Sequence, residues 1–183
     1  MSERDLAAVL DEHVRAEFVD RDPDAAVATM CADATLLHVP VGTGARGTEA
    51  LRRFYADVFM PSWPADTEVR MVSRTVGPGR VVDELVVRAT HDRVMRSVLP
   101  GVAPTDRRFE LPHVAVVDFR DGRIAAERIY WDQASLLVQL GLLPAESVPV
   151  LGIAQTRAYE DPTYPLNEII TDHERKATER NGI

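Results

Sequence analysis

The amino-acid sequence predicts an α+β fold in which N-terminal helices pack against a curved antiparallel sheet around a central pocket. Three observations support this fold class. The N-terminal third carries apolar residues at helical spacing, interrupted by a single strand-like segment. Two pairs of Val- and Thr-rich segments follow, and each pair is joined by a glycine-containing turn, as in antiparallel hairpins. Helices that are segregated from an antiparallel sheet in this way are typical of α+β domains.

The N-terminal third is predicted to form three helices and one strand. The helices cover residues 3–19, 23–31 and 48–60, and the strand covers 34–40. Asp22-Pro23 starts the second helix, because aspartate is a favoured N-cap and proline is tolerated in the first helical turn. Thr48 can cap the third helix, and Pro61 stops it.

The next part of the chain is predicted to form two hairpins and a helix. The strands cover 67–76, 80–92, 107–119 and 123–131, and the helix covers 132–140. Gly77-Pro78-Gly79 joins the first pair of strands, and Asp121-Gly122 is a strong signal for a two-residue turn between the second pair. Gly141 suits the position that follows a helix end.

The sequence divides into a domain over residues 1–143 and a C-terminal extension over 144–183. The extension is rich in proline, yet it is too apolar for a solvated linker. We therefore expect it to pack on its own domain or on a partner subunit. Its last ten or so residues are polar and are expected to be disordered.

Composition and charge exclude several kinds of partner. The 183 residues, 45% hydrophobic and 27% charged, fit one globular domain with an extension. A formal charge of −8 argues against nucleic acid and against an anionic membrane surface. No apolar stretch is long enough to cross a membrane, and the N-terminus lacks a signal-peptide core, so we expect a cytoplasmic protein. Cys31, the only cysteine, is expected to be a buried, inert thiol.

Three catalytic or cofactor motifs are excluded. The glycines of 42–47 match G-x-G-x-x-G, but the hairpins downstream offer no parallel βαβ unit, so we expect a tight turn and no dinucleotide. No serine or cysteine lies in a G-x-S-x-G elbow, which argues against a covalent hydrolase. The histidines do not form H-x-x-x-H or H-E-x-x-H, and we expect neither a metal nor a cofactor.

The end of the last predicted strand carries the main candidate site. Alternation places Arg128, Tyr130 and Asp132 on one face, and three polar groups in line suggest a lining that contacts a ligand. Glu127, Ile129 and Trp131 would lie on the other face. Asp132 is equally well placed to cap the following helix, and both roles stay open.

Other polar residues could converge on the same pocket. Glu84 lies among apolar residues and is either in the pocket or on an exposed face. His113 lies on an apolar strand face and could be a core residue or a pocket residue, and His91 ends a neighbouring strand. Burial of such groups together would separate their pKa values and provide an acid and a base near neutral pH.

The sequence resembles the SnoaL-like polyketide cyclases of the nuclear-transport-factor-2-like superfamily. The resemblance is carried by Phe119-Arg-Asp-Gly-Arg-Ile124, Glu127-Arg-Ile-Tyr-Trp-Asp132 and Gln139-Leu-Gly-Leu-Leu143, and it covers residues 1–143 in element order. Shorter similar phrases are Thr90-His91-Asp92, Leu99-Pro-Gly101 and Pro104-Thr105. The resemblance implies a cone-shaped domain with a deep pocket, usually a homodimer, that binds a small molecule without cofactor or metal.

The resemblance also implies a reaction. Asp132 matches the aspartate that serves as general acid/base, His113 or His91 would assist it, and Tyr130 would hydrogen-bond the oxyanion. The candidate substrate-binding residues are Glu84, Arg128, Trp131, His38 and Phe54. The expected activity is a cyclase-, isomerase- or lyase-type proton transfer on a small, partly apolar carbonyl compound. The alternatives are hydrolase or dehydratase activity in the same pocket, non-catalytic binding of a small hydrophobic ligand, and a dimerisation domain with a filled pocket.

Overall fold

The computed structural model describes residues 3–181, and the side chains of 6–176, 178 and 179. Its α-helices are α1 (Glu3–Arg15), α2 (Pro23–Ala28), α3 (Thr48–Phe54), α4 (Met60–Ser62), α5 (Gln133–Gln139), α6 (Ala154–Glu160) and α7 (Glu168–Asn181). Its strands are β1 (Met30–His38), β2 (Thr43–Arg46), β3 (Glu68–Gly77), β4 (Arg80–Thr90), β5 (Arg108–Arg120) and β6 (Arg123–Trp131). π-helical turns over Ala16–Asp20 and Tyr55–Phe59 extend α1 and α3.

The six strands form one curved, open sheet in the order β2-β1-β6-β5-β4-β3. Neighbouring strands are antiparallel except for β1 and β6, which are parallel. The predicted α+β class with helices on a curved sheet is therefore confirmed, and the one parallel pair makes the sheet mixed. β1 starts at Met30, four residues before the predicted start, because α2 already ends at Ala28.

The predicted turn and cap residues have their expected conformations. Asp121 and Gly122 both have positive φ, which is the backbone of a type I′ hairpin turn. Asp22 accepts hydrogen bonds from the first turn of α2, as an N-cap does. Cys31 is buried, although it lies in β1 and not at a helix end.

The glycine segment between β1 and α3 is a tight hairpin that contains the short strand β2, where the sequence predicted only a loop. Gly44 pairs with Leu37, and a Cβ atom built on Gly44 would lie 2.0 Å from the carbonyl oxygen of Leu36. The glycine is therefore required by the close approach of two backbones. The parallel βαβ unit that a dinucleotide site requires does not occur among residues 3–181.

Of the segments after α5, α6 packs on the outer face of the sheet. α6 lies against β5, and its Thr156 is buried. Glu160 of α6 forms ion pairs with Arg70 and Arg88 on the outer face of β3 and β4. α7 follows as an exposed helix to Asn181, where the sequence predicted a disordered end, and residues 182–183 lie outside the described part of the chain. No helix within residues 3–181 is both long and apolar enough to cross a membrane.

Candidate functional site

A pocket of about 490 Å³ lies between the concave face of the sheet and α1 with its π-helical extension. Its volume is within the range of small-molecule sites. The lining is largely apolar and includes Leu10, Phe18, Leu36, Phe59, Trp63 and Ile129. Polar side chains also line the pocket, and most of them belong to three groups.

Strand register determines which side chains reach the pocket. On β6, Glu127, Ile129 and Trp131 line the pocket, since alternate residues of a strand point to the same face. His113 of β5 pairs with Trp131, and His38 of β1 pairs with Ile129. These two histidines therefore lie on the concave face, near the Trp131 end of the pocket.

The face of β6 that was predicted to contact a ligand is the outer face. Arg128 and Tyr130 do not line the pocket, and Arg128 pairs with Asp118 at 2.7 Å. Asp132 is also outside the pocket. It accepts hydrogen bonds from the backbone N–H and the hydroxyl of Ser135 at 3.0 and 2.8 Å, so it is the N-cap of α5. The expected pocket position of Asp132 is wrong, because alternation defines two faces of a strand without saying which one is concave.

Three further candidates also lie outside the pocket lining. His91 is buried in the loop after β4, where its Nδ1 lies 3.1 Å from the hydroxyl of Thr105. Glu84 is on the outer face of β4 and accepts a hydrogen bond from Ser73. Phe54 is a core residue whose ring packs against His38 with centroids 5.9 Å apart. Burial of its π-surface in the helix–sheet core explains its position.

The first polar part of the pocket contains two buried carboxyl groups that share one imidazole. Glu17, from the π-helical turn after α1, and Glu127 both line the pocket, and His13 lies behind them. His13 Nε2 is 3.2 Å from Glu17 Oε1 and 3.5 Å from Glu127 Oε2. The hydroxyl of Tyr55 is also 3.2 Å from this nitrogen. Both carboxyl side chains are about nineteen-twentieths buried, at 5% and 6% exposure.

The hydrogen bonds of His13 fix which of its nitrogens carries a proton. The Thr29 hydroxyl donates its only hydrogen to the carbonyl oxygen of Ala26. His13 Nδ1 lies 2.7 Å from the Thr29 hydroxyl oxygen and 3.2 Å from that same carbonyl, so Nδ1 must be the donor. Nε2 therefore faces the two carboxyl groups, either as a lone pair or as a second N–H.

Charge determines the state of Nε2. Burial alone would lower the pKa of His13, but Glu17 and Glu127 outweigh it and raise the pKa to about 10. His13 is then an imidazolium at neutral pH and donates from both nitrogens. Burial raises the pKa of Glu17 although His13 opposes this, and burial also raises the pKa of Tyr55, which remains a neutral phenol. The cluster thus places two buried carboxyl groups beside one cation, and burial favours the protonated form of Glu17.

The cluster also meets the distance requirement of a metal site. The ligand atoms of His13, Glu17 and Glu127 all lie within 4.8 Å of one another. A divalent cation could be held there by one nitrogen and two carboxylate oxygens, and the His13 proton would then be displaced. The proton and the metal ion are alternatives, since both would supply the positive charge between the same two carboxylates.

The second polar part is a wall formed by His38, Trp131 and His113, called here the histidine wall. The Trp131 ring lies 5.6 Å from the His38 ring and 5.5 Å from the His113 ring, centroid to centroid. Burial lowers the pKa of His38, and burial lowers that of His113 to about 4. Both rings are therefore neutral at pH 7, in contrast to His13.

The third polar part is an ion-pair network near α1. Arg74 of β3 donates two hydrogen bonds to Asp83 of β4, at 2.7 and 2.8 Å, and a third to Asp11 of α1 at 2.8 Å. These contacts raise the pKa of Arg74, Asp83 first, so the guanidinium stays charged. The network ties α1 to the sheet beside the pocket.

The carboxyl cluster was not predicted from the sequence, although the chain carries a signal for it. His13 and Glu17 are four residues apart, and they continue the buried stripe of α1 that includes Leu6 and Leu10. A histidine and a glutamate at such positions are both buried and adjacent on the helix. Glu127 was assigned to the face opposite the expected site, and that face is the concave one.

Comparison with known proteins identifies both the family and the fold of this chain. The model of the SnoaL-like domain matches residues 10–127. A search of curated proteins finds no match. A proposed SnoaL-like polyketide cyclase from Jannaschia sp. CCS1 is 21% identical, with a TM-score of 0.59 over 75% of this chain and 94% of that one.

Two further solved structures have the same fold. A nuclear-transport-factor-2-like protein of unknown function from Burkholderia pseudomallei is 20% identical, with a TM-score of 0.58 over 76% of this chain and 98% of that one. A hypothetical protein with a ketosteroid isomerase-like fold from Catenulispora acidiphila, in complex with trimethylamine, is also 20% identical, with a TM-score of 0.57 over 77% and 97%. At these identities the likeness establishes the cone-shaped fold and leaves the reaction open.

Proposed function

This chain belongs to the SnoaL-like domain family, and we propose that it is a cofactor-independent acid/base enzyme acting on a small, partly apolar carbonyl compound. The reaction class is cyclisation, isomerisation or a related proton transfer. The proposal rests on one observation, the buried carboxyl pair Glu17 and Glu127 at one end of a largely apolar pocket, with His13 between them. We assign the acid and base roles to this pair and not to Asp132, Tyr130 or His91, because those three residues lie outside the pocket lining.

Glu127 is the proposed base. Its Oε2 is enclosed 3.5 Å from His13 Nε2 and has no other partner among the described residues, which leaves Oε1 as the oxygen that a ligand in the pocket can reach. An ionised carboxylate in this position can remove a proton from the carbon next to a substrate carbonyl.

Glu17 is the proposed acid. Burial raises the pKa of Glu17, which favours a proton on its carboxyl group, and this proton would pass to the carbonyl oxygen as negative charge develops there. The C–H proton then resides on Glu127, the Glu17 proton resides on the enol, and Glu17 becomes the carboxylate. The cluster has the same net charge before and after the step. His13 contacts both carboxyl groups, so its positive charge stabilises whichever one is ionised.

Hydrogen–deuterium exchange tests the proposal without knowledge of the natural substrate. Small cyclic ketones such as 2-tetralone and 1-indanone are incubated with the protein in D₂O, and exchange beside the carbonyl is followed by proton NMR. We expect catalysed exchange with at least one ketone, reduced about 100-fold or more by Glu127→Gln, in line with the usual contribution of general acid/base catalysis. Glu84→Gln is the matched control, because Glu84 lies on the outer face of the sheet and outside the pocket lining.

Two outcomes would contradict the proposal. Exchange that is unchanged in Glu127→Gln would remove Glu127 as the base, and ketones that bind without any exchange would identify a non-catalytic ligand-binding domain. Chelator treatment is expected to leave the exchange rate unchanged. Loss of exchange with a chelator and recovery with a divalent cation would instead assign His13, Glu17 and Glu127 as metal ligands.

We also propose that the chain forms a homodimer, as its family resemblance implies. Apolar side chains on the outer face of the sheet support this, since Leu37, Val39 and Tyr130 are each about two-fifths exposed, at 40%, 39% and 40%. One chain has a mass of 20.3 kDa, and light scattering coupled to size-exclusion chromatography should give twice this mass. A mass of one chain at micromolar concentration would contradict the dimer.

A further inference from the structure

The histidine wall of His38, Trp131 and His113 takes no part in the proton transfer described above. We propose that it is a binding subsite for hydroxyl groups of the ligand, which donate hydrogen bonds to Nε2 of each imidazole. Both histidines line the pocket, and their exposures are only 2% and 5%. The two rings flank Trp131 and face the same enclosed space.

The tautomer of His38 follows from its neighbours. The Thr43 hydroxyl donates its hydrogen to the carbonyl oxygen of Ser97 over 2.6 Å. His38 Nδ1 lies 2.9 Å from the Thr43 hydroxyl oxygen and 3.1 Å from the Ser97 carbonyl, and both of these atoms can only accept. Nδ1 must therefore carry the hydrogen, and Nε2 of the neutral ring carries a lone pair.

His113 reaches the same state by a different contact. Its Nδ1 lies 3.0 Å from the carbonyl oxygen of Leu111, which can only accept, so Nδ1 is again the donor. The pKa of about 4 keeps this ring neutral, and its Nε2 is also a lone pair. Within residues 3–181, neither His38 Nε2 nor His113 Nε2 has a hydrogen-bond partner.

The chemistry of the wall selects its ligand. Two imidazoles that present lone pairs can only accept, so a keto, ether or carboxylate oxygen placed there would be repelled. A cationic donor would lose its hydration on binding in a buried site, which costs far more free energy than burying a neutral donor. A neutral hydroxyl group satisfies an acceptor at small desolvation cost, and hydroxyl groups are therefore the ligand groups that the wall favours.

Strand register places the hydroxyl subsite at a distance from the carboxyl pair. Trp131 lies four residues beyond Glu127 on β6, which corresponds to roughly 13 Å between backbone positions at about 3.3 Å per residue. A ligand that spans the pocket would carry its hydroxyl groups at one end and its reacting carbonyl at the other. Only this orientation depends on the proposed function, since the hydroxyl subsite itself requires no catalytic step.

Stepwise methylation of a diol probe tests the subsite. The probes are 2,7-dihydroxynaphthalene, its monomethyl ether and its dimethyl ether, with binding measured by isothermal titration calorimetry. We expect about fivefold weaker binding for each methylation, as for the loss of one neutral hydrogen bond. In His113→Phe and in His38→Phe, one of the two fivefold losses of affinity should disappear. The control is Ile129→Val, which changes a pocket residue on the same strand as Trp131 and should keep both losses.

Equal binding of the three probes by the wild type would overturn the subsite, as would a stepwise loss that persists in both His→Phe variants. A measurement on the unaltered protein covers the case in which a variant does not fold. The diol, but not the dimethyl ether, should shift the Nε2 resonances of His38 and His113 in ¹⁵N NMR spectra, and the absence of both shifts would overturn the proposal. Glu127→Gln should retain the stepwise loss, so failure of the catalytic proposal and failure of the subsite give different results.

Discussion

The buried proton of His13 should give the stability of the protein a pH dependence that follows from its pKa. His13 has a pKa of about 10 in the folded state, raised from an ordinary value of 6.5. A raised pKa means that the folded state binds the proton more tightly, so the stabilisation is complete below about pH 6.5 and is lost as pH rises towards 10. The expected slope is roughly 1.4 kcal/mol per pH unit within this window.

Between pH 7 and pH 9, the free energy of unfolding should fall by roughly 2–3 kcal/mol. Urea denaturation at pH 7, 8 and 9 measures it, with the fluorescence of Trp63 and Trp131 as the signal because both are pocket residues. Replacement of His13 by Gln leaves two buried carboxyl groups without their cation, and we expect it to cost about 3–5 kcal/mol at pH 7. This cost should shrink at lower pH, where the carboxyl groups take up protons.

The matched control is His173→Gln, since His173 lies exposed on α7. This variant should have the stability and the pH slope of the wild type. Our explanation of the cluster would be refuted by a wild-type stability that is flat from pH 7 to pH 9. It would also be refuted if the His13 variant were as stable at pH 7 as the His173 variant.

Three substitutions test other parts of the structure by urea denaturation. Asp132→Ala should cost about 1 kcal/mol through loss of the α5 N-cap, without any change in ketone exchange; a catalytic loss would return Asp132 to the site. Gly44→Ala should destabilise by more than about 1 kcal/mol, because its Cβ would lie 2.0 Å from a backbone oxygen; unchanged stability would contradict the close strand approach. Arg74→Met should lower the free energy of unfolding by about 3–5 kcal/mol, because it leaves the Asp83 carboxylate buried and unpaired. The control is Arg53→Met, which removes an exposed ion pair and should cost under about 1 kcal/mol.

The elements of the domain could be predicted because local signals mark their ends. Asp22, Asp121-Gly122 and Gly141 are a cap, a hairpin turn and a helix end in the sequence, and they occupy those positions in the structure. β2 escaped prediction, because it contains glycines and is held by its pairing with β1. α6 escaped prediction because prolines lie on both sides of its seven residues, and α7 escaped prediction because its 14 residues are mostly polar.

The site was predicted less well, for a geometric reason. The alternation on β6 was assigned correctly, but only the curvature of the assembled sheet determines that Glu127 and Trp131 face the concave side. Curvature depends on neighbouring strands that are distant in sequence. The more polar face, with Tyr130 and Arg128, proved to be the outer one. Of the predicted residues, His38, His113 and Trp131 do line the pocket.

The two ends of the pocket show how neighbours, and not burial alone, determine the chemistry of a histidine. His13 and His113 are both buried, yet their pKa values are about 10 and about 4. Two carboxyl groups face the first ring, whereas a backbone carbonyl and the Trp131 ring are beside the second. One end of the pocket therefore holds exchangeable protons beside a cation, and the other offers only lone pairs. A ligand with both a carbonyl and a hydroxyl group can satisfy both ends in one direction only, so the same electrostatics that would drive the reaction would also orient the substrate for it.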